Sequence, residues 1–249
     1  PSKSSNKVTG KDKFEGGYEN YFKFMNNQLE ELLTKYEVNA LWFDGMWDRR
    51  SVNWRIEEQY AHIHSIKPEC LIGNNHHLPL INGEDFQIFE RDLPGENKAG
   101  FSKGQTVSNI VPLETCQTMN GMWGYKVADQ NYKSAEELIR YIVSISCKGA
   151  NLLLNIGPQP NGELPATALA RLKEMGEWLR KYGDTVYGTT AGDIQAQEWG
   201  VTTRKGNRLF VHIFNLKAQE MQLPLSCKVV KAFTYVFLLA IAVTVLFPF

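Results

Sequence analysis

Two short apolar runs in this chain end in a carboxylate. Val38 to Phe43 (VNALWF) leads into Asp44-Gly45, with Trp42, Phe43 and Trp47 around the acid and a glycine that lets a ligand approach the backbone. Phe86, Ile88 and Phe89 precede Glu90 in EDFQIFERDLPGE, where apolar neighbours would desolvate a carboxyl and raise its pKa. Glu114, in PLETC, is the rival to Glu90. A pair of carboxyls at strand ends suits acid–base work or nucleophilic displacement at an acetal carbon. Residue types alone support structural roles equally: Asp44 as a cap for the next helix, Glu90 or Glu114 as an ion pair with Arg91 or a solvated loop charge.

Asn74, Asn75, His76 and His77 (NNHH) follow another apolar run and supply the neutral donors and acceptors that sugar hydroxyls need. A metal site would combine one of these histidines with Asp44 and Glu90. Adjacent histidines, however, point in divergent directions along an extended chain and seldom ligate one ion. Trp123, in MNGMWGY, reads as an exposed aromatic platform or as core. The run Leu152 to Gly162 (LLLNIGPQPNG) ends a strand in a turn without titratable groups, which points to pocket shape more than chemistry.

These residues need a frame. Apolar residues at steps of three and four predict a helix over 21–36, and 53–66 reads as another, stopped before Pro68. Ser134 and Glu137 form a capping-box pattern for a third helix through Leu138, Ile142 and Ile145. Pro165 and Gly183 bracket a fourth, with Leu169, Leu172, Met175 and Leu179 in helical period. Between them lie short apolar strands near 38–43, 70–74, 85–90, 113–118 and 151–156. The alternation predicts an α/β domain of parallel strands covered on both faces, with four or five strands where a closed (β/α)₈ barrel has eight. After Tyr187, Ile194 to Val201 and Leu209 to Asn215 look antiparallel, with Gly206-Asn207 at the turn.

Composition narrows the partners. Twenty-seven basic and 27 acidic residues cancel, so the sign excess that nucleic acid calls for is missing. At 43% hydrophobic and 22% charged, the chain is globular and not disordered. Cys70, Cys116, Cys147 and Cys227 are dispersed, without a CxxC pair or ligand spacing to His, so neither a zinc site nor a disulfide framework is signalled. The polar start to Lys13 has no initiator Met and no apolar signal-peptide core, which reads as a processed or incomplete chain. Ala232 to Phe249 has no charge over eighteen residues. It reads as a membrane segment at the lower length limit, a frame-shifted end, or buried β-strand.

Taken together, LWFDGMWD, GNNHH, DFQIFERDLPG, ETCQTMNGMWGY and GANLLLNIGPQPNGELP followed by GEWLRKYGDTVYGT resemble the α-L-fucosidases of glycoside hydrolase family 29, closest to the bacterial type, from about Tyr18 to about Phe214. The resemblance implies the C-terminal portion of a (β/α)₈-like barrel over 1–187 and the start of a β-sandwich over 188–227; the hydrophobic tail over 228–249 is left unassigned by it. It implies hydrolysis of terminal α-linked L-fucose with retention through a covalent fucosyl-enzyme intermediate, on fucosylated glycans or glycoconjugates, without metal or organic cofactor. By motif, Asp44 is the nucleophile and Glu90 the acid/base. Glu114 is the alternative, its ETC matching a WExC motif with Leu in place of Trp. Trp42, His76 and His77 fall at the sugar site, and Trp123 matches an aromatic near the fucose methyl.

Departures from the family pattern matter as well. The first barrel strands have no counterpart before Pro1, and the sandwich is expected to break off near Leu225, so the chain reads as a fragment. An open half-barrel exposes strand edges and apolar helix faces, from which weak stability, aggregation or a need for a partner is expected. A non-catalytic carbohydrate-binding remnant is the competing function. The family points to an exported protein, and membrane association depends on the tail alone.

Overall fold

The structure, a computed structural model, describes residues 17–49, 52–215, 222–225, 228–236 and 241–246. The polar start to Lys13 and Cys227 lie outside them. The chain divides into two compact units: residues 1–76 with 81–85, and residues 77–80 with 86–249.

In the first unit, helix α1 (Gly17–Lys35) buries Phe22, Leu29 and Leu33 along one stripe. Leu29 and Leu33 pack with Tyr60 and Ile63 of α2 (Ile56–Ile66) and with Cys70 and Ile72. Each fully buried side chain of this size contributes roughly 1.5–3 kcal/mol. Strands β1 (Ala40–Asp44) and β2 (Leu71–Asn75) pair in parallel, residue for residue, from Ala40 opposite Leu71 to Asp44 opposite Asn75. The period of two sends Leu41, Phe43 and Ile72 into the helix-facing core. Ala40, Trp42 and Asp44 take the other face and are exposed. β1 is therefore two-sided, where its apolar sequence predicted burial on both faces.

The second unit carries β3 (Phe86–Glu90), β4 (Leu113–Thr118) and β5 (Ala150–Asn155), parallel neighbours in that order. Helix α3 (Ala135–Ser146) begins with the expected capping box: Glu137 N donates to Ser134 Oγ at 3.1 Å, and Ser134 N donates to Glu137 Oε2 at 2.7 Å. Leu138 and Ile139 of α3 pack with Met119 and with Ala168 and Met175 of α4 (Ala166–Tyr182). Phe89, Leu113 and Ala150 meet Ile145 of α3. These contacts put Phe89, Leu113 and Ala150 on the helix side of the sheet, and Ile88, Glu90, Glu114 and Cys116 on the opposite face.

An antiparallel sheet of five strands follows within the same unit, ordered β6 (Thr190–Ala191), β7 (Gly200–Lys205), β8 (Arg208–Ile213), β10 (Ile241–Leu246), β9 (Lys231–Val236). Gly206-Asn207 makes the β7–β8 turn as expected. The strand predicted over 194–201 lies later, at Gly200–Lys205, and begins at a glycine that fits directly against the His212 carbonyl, where a Cβ would collide. The sheet does not break off near Leu225: β10 pairs with β8 from Ile241 opposite Ile213 to Leu246 opposite Arg208. Among the described residues, no helix is long and apolar enough to cross a membrane.

Candidate active site

Asp44 is the last residue of β1, directly opposite Asn75, the last residue of β2. Asn75 Nδ2 donates to Asp44 Oδ1 at 3.2 Å, and Trp47 Nε1 donates to the same oxygen at 3.3 Å. Among the described residues none reaches Oδ2. Two N–H groups on one oxygen fix the orientation of the carboxyl group. Gly45 follows at φ 85°, in the left-handed region, with open space where a Cβ would stand. The chain thus turns off the strand immediately behind the acid without covering it. On the same face, Trp42 lies two residues back and opposite Gly73, which has no side chain to compete with the indole. Trp42 and Trp47 are each more than one third exposed.

His76 departs from expectation. Predicted at the sugar, it is instead enclosed: Nε2 lies 2.8 Å from Glu84 Oε1, and both side chains are 1% exposed. Tyr60 OH donates to the same Glu84 oxygen at 3.1 Å and accepts from Asn74 Nδ2 at 2.9 Å, while Ile81 N donates to Glu84 Oε2 at 3.0 Å. Burial beside Glu84 pushes the Tyr60 hydroxyl well above its usual range and keeps it a neutral donor. The network links Asn74 and His76, at the end of β2, to Tyr60, Ile81 and Glu84, so the His76 ring is engaged by Glu84.

In the second unit Glu90 closes β3, opposite Cys116, and is buried. Its Oε2 lies 3.0 Å from His77 Nε2. The alternative structural reading, an ion pair with Arg91, is not seen among the described residues. Arg91 adopts φ 61°, donates its backbone N–H to Cys116 O at 2.8 Å, and carries its guanidinium away to Gly121 O at 3.2 Å and over the Trp123 ring at 4.9 Å. Glu114 shares the face of Glu90 but stands opposite Ile88, two residues and about 7 Å nearer the N-terminal end of the sheet. In parallel α/β sheets chemistry gathers at the other end.

Trp123 sits in a turn held from several sides. Asn155 Nδ2 donates to Trp123 O at 2.7 Å, Thr118 Oγ1 to Met122 O at 2.9 Å, and Met122 N to Asp129 Oδ2 at 2.7 Å. Gly157, just past β5, admits the backbone at Gly124-Tyr125 so closely that a Cβ would lie 2.5 Å from Tyr125 N. That is the architectural use of the LLLNIGP run. Asn75 as the partner of Asp44, Arg91 under Trp123, and Phe101 with its ring 5.4 Å from that of His77 went unassigned in the sequence. The usable signal was positional: Asp44 and Asn75 each end an apolar run at the same end of paired strands. Among the described residues no group of three or more His, Cys, Asp or Glu side chains is arranged to hold a metal ion.

Comparison with known proteins agrees with this frame. The family model for alpha-L-fucosidase matches residues 2–184. The alpha-L-fucosidase of Dictyostelium discoideum is 27% identical over 207 residues, 78% of this chain and 42% of the relative. The chain spans about two fifths of the length of the curated relatives it matches. Among solved structures, alpha-L-fucosidase isoenzyme 1 from Paenibacillus thiaminolyticus superposes with a TM-score of 0.77 at 26% identity, covering 95% of this chain and 64% of that one. The Thermotoga maritima alpha-fucosidase, in complex with a mechanism-based inhibitor, gives a TM-score of 0.66 at 26% identity, over 92% of this chain and 53% of that one. These likenesses bear out the expected fold class, α/β with part of a (β/α)₈-like barrel followed by an antiparallel β-sheet.

Proposed function

Because this chain belongs to the alpha-L-fucosidase family, we propose that its site hydrolyses terminal α-linked L-fucose from fucosylated glycans or glycoconjugates, with retention, Asp44 acting as nucleophile and Glu90 as acid/base. The observation that carries this reading is the placement of Asp44 at a strand end before a left-handed glycine, one oxygen held by the N–H groups of Asn75 and Trp47 and the other reached by none of the described residues. A mechanism-based inhibitor bound to the Thermotoga relative supports the same chemistry.

Retaining hydrolysis needs two carboxyl groups about 5–5.5 Å apart, one ionised and one protonated. In the first step Asp44 Oδ2 bonds to the anomeric carbon as the glycosidic C–O bond breaks, and the leaving oxygen takes the Glu90 proton. In the second, water gives a proton to Glu90 and its oxygen bonds to the anomeric carbon, while the Asp44 ester bond breaks. Glu90 is preferred to Glu114 because it ends its strand and Glu114 lies a layer deeper. Trp42 and Trp123 offer ring faces to the apolar side of the sugar. A glycan substrate of this kind fits a place of work outside the cytosol.

The test is release of nitrophenol from 4-nitrophenyl α-L-fucoside, with Asp44→Gly lowering the rate on the order of 10³-fold or more. A 2-deoxy-2-fluoro-α-L-fucosyl fluoride should label the peptide that contains Asp44. Fucose binding with neither turnover nor label would overturn the reading and leave a carbohydrate-binding module.

A further inference from the structure

We propose that His77 is a positioning residue that steers the proton of Glu90, and not a ligand of the sugar. The proposal rests on Glu90 being the acid/base. His77 Nε2 lies 3.0 Å from Glu90 Oε2, and the two side chains are 9% and 10% exposed, so the contact is shielded from solvent. His77 reaches it from φ 60°, a left-handed conformation that costs a non-glycine residue of order 1–3 kcal/mol and persists only where the surroundings enforce it.

Those surroundings are visible. The His77 ring lies against Phe101 with centroids 5.4 Å apart and planes at 34°. Phe101 is held by the segment that carries Glu90: the Asp92 carboxylate accepts the backbone N–H of Lys98 and of Ala99, each at 2.9 Å, and Ser102 N donates to Asn97 Oδ1 at 3.0 Å. A second left-handed residue, Arg91, fixes the chain just past Glu90. The acid, the ring that touches it and the aromatic behind that ring form one braced assembly.

An imidazole N–H on Oε2 has two consequences for a group that must give up a proton and take one back. It directs the acid proton to Oε1, where the glycosidic oxygen is to receive it. It then stabilises the carboxylate left behind, which serves as base in the second step. The imidazole keeps its own proton throughout, so the balance of each step is unchanged.

Such a role has a signature that a sugar contact lacks. With α-L-fucosides of 2,4-dinitrophenol and of phenol, the first leaves without a proton and the second needs one. His77→Ala should cut kcat/KM on the phenyl fucoside on the order of 10²-fold while changing the dinitrophenyl fucoside less than about fivefold. His77→Gln, which restores an N–H donor, should recover part of the loss. Equal losses on both substrates, or a loss confined to KM, would overturn the proposal. Glu90→Gln on the same pair separates the two ideas: if it shows no leaving-group split, the acid/base assignment itself falls. A measurement without turnover completes the test. In a ¹⁵N–¹H spectrum of the chain, the His77 Nε2 resonance should be that of a protonated nitrogen and should shift in Glu90→Gln; a resonance indifferent to that variant would also overturn it.

Discussion

Asn75 and Asp44 end neighbouring parallel strands in register, and the amide of one holds a carboxylate oxygen of the other at 3.2 Å. A neutral N–H on a carboxylate is worth about 1.5–3 kcal/mol, so Asn75→Ala should lower kcat roughly 10- to 100-fold, with KM little changed. Steady-state kinetics on an aryl α-L-fucoside checks this. An unaltered kcat would mean that Trp47 suffices to orient Asp44.

Glu84 collects three donors in one enclosed place: His76 Nε2, Tyr60 OH and Ile81 N. Glu84→Ala strands all of them, and a loss on the order of 3–5 kcal/mol of unfolding free energy is expected. Urea denaturation followed by tryptophan fluorescence measures it. A cost below about 1 kcal/mol would show that the 74–84 segment is held by other means.

Arg91 supports Trp123 through the ring face and through Gly121 O. A cation–π contact of this kind is worth about 0.5–2 kcal/mol. If Trp123 is the sugar platform proposed above, Arg91→Ala should raise KM several-fold with a smaller change in kcat, since Arg91 steadies that ring. The reverse pattern, kcat falling at constant KM, would place Arg91 in the chemistry itself.

His212, buried in β8, gives the antiparallel sheet a pH dependence. The Thr203 hydroxyl donates its single proton to Thr185 O at 2.7 Å, so it must accept from His212 Nε2 at 2.9 Å, and the ring is the neutral Nε2–H tautomer. Burial pushes its pKa down to about 4 from the ordinary 6.5. Below pH 6.5 the unfolded chain binds a proton that the folded chain refuses. Stability is thus complete above about 6.5 and declines as pH falls towards 4, by roughly 3 kcal/mol. Denaturant midpoints across this window should slope in the parent chain and flatten in His212→Gln; equal slopes would exclude His212 as the cause.

Much of the frame was legible because local signals agreed. Ser134 and Glu137 announce α3, and the short apolar runs announce β1 to β5. The place of Asp44-Gly45 at the end of a strand was legible because an apolar run stops there at an acid followed by a glycine. The two histidines were not. Side by side in NNHH they look alike, yet His76 turns to Glu84 and His77 to Glu90. Those choices are made by the loops that return Glu84 and Glu90 to each ring, and sequence spacing does not describe a return. The apolar run after Ala232 was ambiguous for a different reason. Without polar alternation nothing distinguishes strand from membrane span, and only pairing with β8 and β9 shows how its described residues are used.

The order β8, β10, β9 sets a schedule for synthesis. A ribosome delivers β9 before β10, yet among the described strands β9 pairs with β10 alone, which must slide in between two strands already made. The growing chain therefore carries β8 with that flank open until β10 emerges. During that interval a chaperone, or another nascent copy, competes for the unfilled slot.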